Sequence, residues 1–155
     1  LSVGIEGSDY SRVERRAEWR TIPSHLFTAD ITKPFRLSRA GAPLRFDVIT
    51  AWEVLEHIPE PAIDRLIANI AAHLSPDGLF VASVAMFEDK DPTTGAVWHV
   101  TLKPAAWWEE RFRSKGLVPQ PSPFHHRDYV CGSGNPRAIR DWSAETDPDV
   151  GRRSE

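Results

Sequence analysis

The sequence predicts an α/β protein built on a parallel sheet, and three observations carry that prediction. Residues 46–50 (Phe46 to Thr50) form a short apolar run rich in β-branched side chains, which suits a buried strand. Ile63, Leu66, Ile67, Ile70 and Leu74 recur at helical spacing, so the segment between has one apolar face. Residues 79–84 are a second apolar run, reached through Ser75-Pro76-Asp77-Gly78, whose turn chemistry stops the helix. Two apolar strands joined by a one-sided helix make a right-handed βαβ unit. Ligands of such sheets bind beyond the carboxyl ends of the strands, which places the polar segment 51–57 at a site.

Taken in order, residues 1–6 read as the end of a strand, with Gly7 and Ser8 turning out of it. Residues 11–20 read as a mixed-face helix opened by a capping box of Ser11 and Glu14. Residues 25–29 read as a further strand ending at Asp30, and residues 32–45 as loop. Pro59 and Pro61 stand at the entry to the central helix, where a missing N–H costs least. Residues 85–100 are expected to be a long irregular connection, the kind of loop that is usually functional. A helix is expected from Lys103 to Lys115, ending at Gly116, with Trp107, Trp108 and Phe112 as its core side. Residues 117–120 and 128–132 are expected to form a final antiparallel pair of strands, with His125 and His126 unassigned between them.

Composition narrows the function. With 155 residues the chain is one domain by length. A net charge of −3 provides no global field for nucleic acid. Arg12, Arg15, Arg16 and Arg20 read as a solvated helix face. The single cysteine, Cys131, excludes an intrachain disulfide or a Cys-cluster zinc site and agrees with a cytoplasmic location. No apolar run reaches the roughly 20 residues of a membrane span, and no signal peptide is visible. The chain begins at Leu1 rather than Met, so an incomplete or processed N-terminus is expected.

Glu53-x-x-Glu56-His57 is the stretch richest in chemistry. Positions three and four apart share a helical face, so a helical turn here would bring two carboxylates and an imidazole together. His99 follows the next strand and would reach the same sheet edge. Glu53, Glu56, His57 and His99 form a ligand set suited to Mg²⁺ or Mn²⁺. Two other readings stand beside the metal. Glu56 and His57 serve only to bond the loop and cap the helix, or His99 or His57 acts as a general base without a metal.

Phe46-Asp47-Val48-Ile49, then Glu53-Val54-Leu55-Glu56-His57-Ile58-Pro59, then Leu74-Ser75-Pro76-Asp77-Gly78-Leu79, in that order and spacing, resemble the middle of a class I S-adenosylmethionine-dependent methyltransferase. The resemblance runs from about Val3 to about Val118. It implies a Rossmann-like methyltransferase fold, a mostly parallel sheet with a C-terminal antiparallel strand. The family's first strand and Gly-rich cofactor loop have no counterpart here, so a gap or exposed edge is expected in the sheet. Residues 1–142 would be this partial domain and 143–155 a polar, fraying tail.

The resemblance assigns Glu6, with Gly7 beside it, to the cofactor ribose. It puts Asp30 opposite the adenine amino group and Ile31 beside the ring, although Asp30 reads equally as the cap of its own turn. Ala51 and Trp52 would shape the cofactor pocket. The Glu-x-x-Glu-His is shared with ubiquinone-pathway O-methyltransferases, and the later His resembles the small-RNA 3′-terminal 2′-O-methyltransferases. The expected function is methyl transfer from S-adenosylmethionine to an oxygen of a small molecule. The alternatives are a metal-dependent RNA 2′-O-methyltransferase and a non-catalytic Rossmann-like module. As given, the fragment is expected to bind cofactor poorly and to be inactive.

Overall fold

The computed structural model describes residues 1–120. Its strands pair as three two-stranded sheets. Strand β1 (Gly4–Glu6) lies parallel to β2 (Leu26–Thr28). A small antiparallel hairpin joins β3 (Ser38–Arg39) to β4 (Ala42–Pro43). Strand β5 (Phe46–Trp52) lies parallel to β6 (Leu74–Ser83), and helix α2 (Glu60–His73) crosses between them. This is the βαβ unit read from the apolar pattern. Helix α3 (Ala105–Ser114) packs against it.

Among the described residues β1 pairs only with β2 and β5 only with β6. Between them lies a cavity of about 450 Å³, lined by residues of both strands, including Gly4, Ile5, Val48 and Ile49. The expected gap is therefore present, flanked by two strand edges that pair with no other strand among the described residues.

The core is made by the predicted face of α2. Ile63, Leu66, Ile67 and Ile70 are buried with Leu55, Leu74, Val84 and Trp108. Burying each such aliphatic side chain contributes about 1.5–3 kcal/mol. Trp108 is core, as expected, and Trp107 and Phe112 pack against the same cluster. Two buried polar residues of α2 hold the 30–37 loop. The Asn69 amide donates to the carbonyls of Ile31 and Lys33, both at 2.8 Å. His73 Nε2 accepts from the Leu37 N–H at 3.1 Å, so its Nδ1 carries the proton and donates to Asn69 O at 2.8 Å.

Several local expectations are corrected. Residues 11–20 form no continuous helix. One turn, α1 (Tyr10–Val13), is followed by left-handed φ at Arg15 (50°) and Ala17 (44°) and then a 3₁₀ turn, Ala17–Arg20. The stretch has no apolar stripe to bury, and packing supplies most of a helix's stability. The capping box is absent because the Ser11 hydroxyl donates to Glu6 instead. The hairpin at 38–43 lies inside the expected loop, turned by Ala40 (φ 50°) and Gly41 (φ 82°). Two consecutive positive φ values give the turn that matches strand twist.

Ser75-Pro76-Asp77-Gly78 is a bulge within β6 rather than a turn before it, since Leu74 pairs with Phe46 and Leu79 with Val48. Gly78 makes that bulge fit, because a Cβ there would lie 2.9 Å from the Phe46 carbonyl oxygen.

The 85–100 connection is more ordered than expected. A bridge joins Lys90 to Val97, and the Asp91 carboxylate caps the Thr93 and Thr94 N–H groups between them. Residues 117–120 form no strand. Their expected partner, residues 128–132, lies outside the described residues, as do His125, His126, Cys131 and the 143–155 tail.

Candidate functional site

Strand β5 delivers the chain to the site and Glu53 turns it. Glu53 sits at φ 51°, and its N–H donates to Ser83 Oγ on the neighbouring strand at 3.0 Å. A 3₁₀ turn follows, Leu55–His57, in which Leu55 and Glu56 are completely buried. Residues 100 and 101, at the end of the 85–100 connection, are stitched to this turn. The N–H groups of Val100 and Thr101 both donate to Glu56 O, at 2.8 and 3.0 Å, and Thr101 Oγ1 donates to Ile58 O at 2.6 Å.

These contacts bring Glu56, His57 and His99 together. One potential ligand atom from each lies within 4.8 Å of the other two. The imidazole rings meet edge to face, with centroids 4.9 Å apart. His57 Nδ1 is 2.9 Å from Trp98 O and His99 Nδ1 is 2.7 Å from Phe87 O. A carbonyl only accepts, so both neutral rings carry their proton on Nδ1 and keep the lone pair on Nε2. Carbonyl anchoring of this kind is how metal-binding imidazoles are commonly oriented.

Glu56 is electrostatically exposed to its own burial. Oε1 accepts from the Ala85 N–H at 3.2 Å, while Oε2 is buried with no hydrogen-bond partner. Burial pushes the carboxyl above its ordinary range, and the nearby Glu53 charge pushes the same way. Backbone N–H bonds and His57 pull against that shift. A buried carboxylate oxygen without a partner is costly unless a cation or a proton meets it. One hard oxygen donor beside two imidazole nitrogens is a borderline set that suits Mn²⁺ better than Mg²⁺, which prefers oxygen ligands.

Glu53 does not join the cluster. It is exposed, and its left-handed backbone carries it outside the turn that gathers the other three. The helical convergence expected for Glu53-x-x-Glu56-His57 begins only at Leu55, two residues past Glu53.

The other sequence candidates stand at strand ends. Glu6 closes β1, with Gly7 exposed beside it. Its Oε1 accepts from Ser11 Oγ at 2.7 Å and its Oε2 from Trp19 Nε1 at 2.6 Å. A pocket of about 230 Å³ lies alongside, lined by Glu6, Ser11 and Trp19 among others. Asp30 follows β2, and its Oδ1 takes both the N–H and the hydroxyl of Thr32, at 2.9 and 2.5 Å. Those bonds, the Thr32 hydroxyl first, hold the Asp30 carboxyl below its ordinary value. Ile31 and Ala51 both line the cavity between β1 and β5, and Trp52 ends β5 with its ring partly exposed.

Sequence reasoning missed the residues that fix these groups. Trp19, buried in an otherwise polar stretch, was the one available hint for the Glu6 anchor. The carbonyls of Phe87 and Trp98 give no signal at all, because every residue has one.

Residues 3–130 match the methyltransferase-domain family. The chain belongs to that family. Its partial, mostly parallel Rossmann-like sheet is that of a class I S-adenosylmethionine-dependent methyltransferase domain. Ubiquinone biosynthesis O-methyltransferases from three strains of Coxiella burnetii are each 49% identical to it over 41 residues. That stretch is 26% of this methyltransferase and spans 17% of the length of those relatives. Among the described residues, no helix of the methyltransferase is long and apolar enough to cross a membrane.

Proposed function

We propose that this methyltransferase moves the methyl group of S-adenosylmethionine to an oxygen of a small molecule, and that Glu56, His57 and His99 hold Mg²⁺ or Mn²⁺ beside the acceptor. The observation that carries the metal is the buried, unpartnered Oε2 of Glu56 next to two imidazoles whose Nδ1 atoms are already committed. Oxygen as the acceptor atom is supported by the similar proteins being O-methyltransferases.

In the transfer the acceptor oxygen bonds to the methyl carbon as the carbon–sulfur bond breaks, and the acceptor proton must leave. Alignment contributes more to such a displacement than functional groups do. When bound, a divalent ion supplies Lewis acidity that lowers the pKa of a hydroxyl beside it. With the ion held, the Nε2 lone pairs of His57 and His99 are committed and the proton leaves to solvent; without an ion, His57, the exposed imidazole of the cluster, takes the departing proton at Nε2. His99 is the buried alternative for that role. Glu6 accepts hydrogen bonds from the ribose hydroxyls, next to Gly7. Ser11 and Trp19 hold one bond to each of its oxygens and leave acceptor capacity on both. Asp30 faces the adenine amino group through its other oxygen, Ile31 lies against the ring, and Ala51 and Trp52 bound the pocket.

The test, on a form of the protein that carries a first strand and Gly-rich cofactor loop, is methyl transfer from labelled S-adenosylmethionine to a panel of small phenols and of short RNAs with a free terminal 2′-hydroxyl. Transfer to phenols that stops in chelator and returns with Mn²⁺ is the expected result. Transfer to RNA ends alone moves the acceptor to a ribose hydroxyl. Transfer that persists in chelator removes the metal and leaves His57 or His99 as base. Absence of S-adenosylmethionine binding by calorimetry leaves a non-catalytic module.

A further inference from the structure

Helix α2 does more than fill the core. Asn69 and His73 stand one helical turn apart on the same face of it, and both are buried. A buried polar side chain is costly unless it is hydrogen-bonded, and an apolar pair at these positions would serve the core as well. What the polar pair adds is a hold on the backbone of residues 30–37.

The first anchor holds a turn. The Lys33 N–H donates to Asp30 O at 3.0 Å, and the N–H and hydroxyl of Thr32 donate to Asp30 Oδ1, so residues 30–33 close on themselves. Two further carbonyls of the turn, those of Ile31 and Lys33, accept from Asn69 Nδ2. Carbonyls only accept, so the amide presents its nitrogen to them and both of its hydrogens are engaged. The second anchor lies one turn along. His73 Nε2 accepts from the Leu37 N–H, and the ring stacks on Phe35 with centroids 4.8 Å apart and planes 18° from parallel. His73 Nδ1 donates to Asn69 O, which ties the two anchors together. The turn held in this way carries Ile31, which lines the cavity beside β5, and Asp30, of which only Oδ1 is engaged by Thr32.

We propose that Asn69 and His73 are positioning residues for the adenine end of the cofactor site, fixing from α2 the turn that aims Asp30 and Ile31. The inference rests on the reading above, in which Asp30 faces the adenine amino group and Ile31 the ring, and it adds the residues that hold them there. A turn ordered before the ligand arrives loses little further freedom on binding, so the bond that Asp30 makes is not offset by ordering.

The test is calorimetry with S-adenosylhomocysteine and with its inosine counterpart, in which an oxygen replaces the adenine amino group. It uses a form of the protein that carries a first strand and Gly-rich cofactor loop, with circular dichroism to verify the fold. Wild type should bind the adenine compound about tenfold or more tightly, as expected for a bond to a carboxylate. Asn69→Leu keeps the bulk without the donors, and His73→Phe keeps a ring against Phe35 without the acceptor. Each should cut the preference to about threefold or less, because ordering the turn then offsets the bond. His73→Gln, whose amide oxygen can take the Leu37 N–H, should retain most of it. A merely structural role would weaken both compounds alike and leave the preference intact, and that result in whichever of Asn69→Leu and His73→Phe folds overturns the inference. A loss in His73→Gln as deep as in His73→Phe also overturns it, because the Leu37 bond would then not be what positions the turn. Asp30→Ala tells this failure from that of the underlying reading. A preference that survives Asp30→Ala, or that wild type lacks, overturns the adenine reading and this inference together.

Discussion

Replacing Glu56 by Gln separates a metal ligand from a structural carboxylate, because the two roles give opposite changes in stability. Glu56 is completely buried, its Oε1 holds one bond at 3.2 Å, and its Oε2 holds none. In metal-free protein the substitution removes a buried charge and retains an amide oxygen for the Ala85 N–H. Relieving an incompletely paired buried charge is neutral or stabilising, whereas losing a needed hydrogen bond costs about 1–3 kcal/mol. With metal the balance reverses. An ion at a hundred times its dissociation constant stabilises the folded state by about 2.7 kcal/mol. In a domain of this size, where 1 kcal/mol moves the midpoint by roughly 4 °C, that is a rise on the order of 10 °C. The expected outcome is a crossing. By scanning fluorimetry in chelator, Glu56→Gln melts at or above wild type, and in saturating Mn²⁺ it melts well below. A variant several degrees less stable in chelator, with no response to Mn²⁺ in either protein, would refute the reasoning and make Glu56 a bonded part of the loop.

Three further outcomes follow from the same structure. In a form of the protein that carries a first strand and Gly-rich cofactor loop, Glu6→Ala should weaken S-adenosylmethionine binding about tenfold or more, since a charge-assisted bond contributes roughly 1.5–3 kcal/mol, and Trp19→Phe should weaken it less by freeing the Glu6 carboxylate; calorimetry checks both, and an unchanged dissociation constant for Glu6→Ala removes that residue from the site. Gly78→Ala should destabilise by about 1–3 kcal/mol, because the added methyl meets backbone oxygens of Phe46 and Ser75 at 2.9 and 3.0 Å; urea unfolding measures it. Thr101→Val preserves shape but leaves the Ile58 carbonyl without its 2.6 Å partner, so a loss of about 1–2 kcal/mol is expected, with weaker Mn²⁺ binding as His99 loosens.

The residues that were legible in the sequence are those whose signal is local. The apolar face of α2 and the apolar runs of β5 and β6 announce themselves by spacing, and burying them allows one arrangement. Where no apolar periodicity exists the reading failed. Residues 11–20 have a capping pattern but nothing to pack, so Ser11 turned to Glu6 and the helix stopped after one turn. The bulge at Gly78 was read as a turn because its residues are turn residues, and only the pairing of Leu74 with Phe46 makes it part of a strand.

The candidate site divides in the same manner. By itself the sequence determined the family, the βαβ unit, and the nomination of Glu56, His57 and His99, because side-chain chemistry and its spacing along the chain are present in it. Which acid faces the imidazoles was decided only in three dimensions. A positive φ at Glu53 swings one carboxylate away. A connection more than forty residues further along brings His99 to Glu56 and His57. The tautomers of both imidazoles are set by the backbone carbonyls of Phe87 and Trp98. Backbone groups are identical at nearly every position, so their placement, unlike that of side chains, is invisible until the chain has folded.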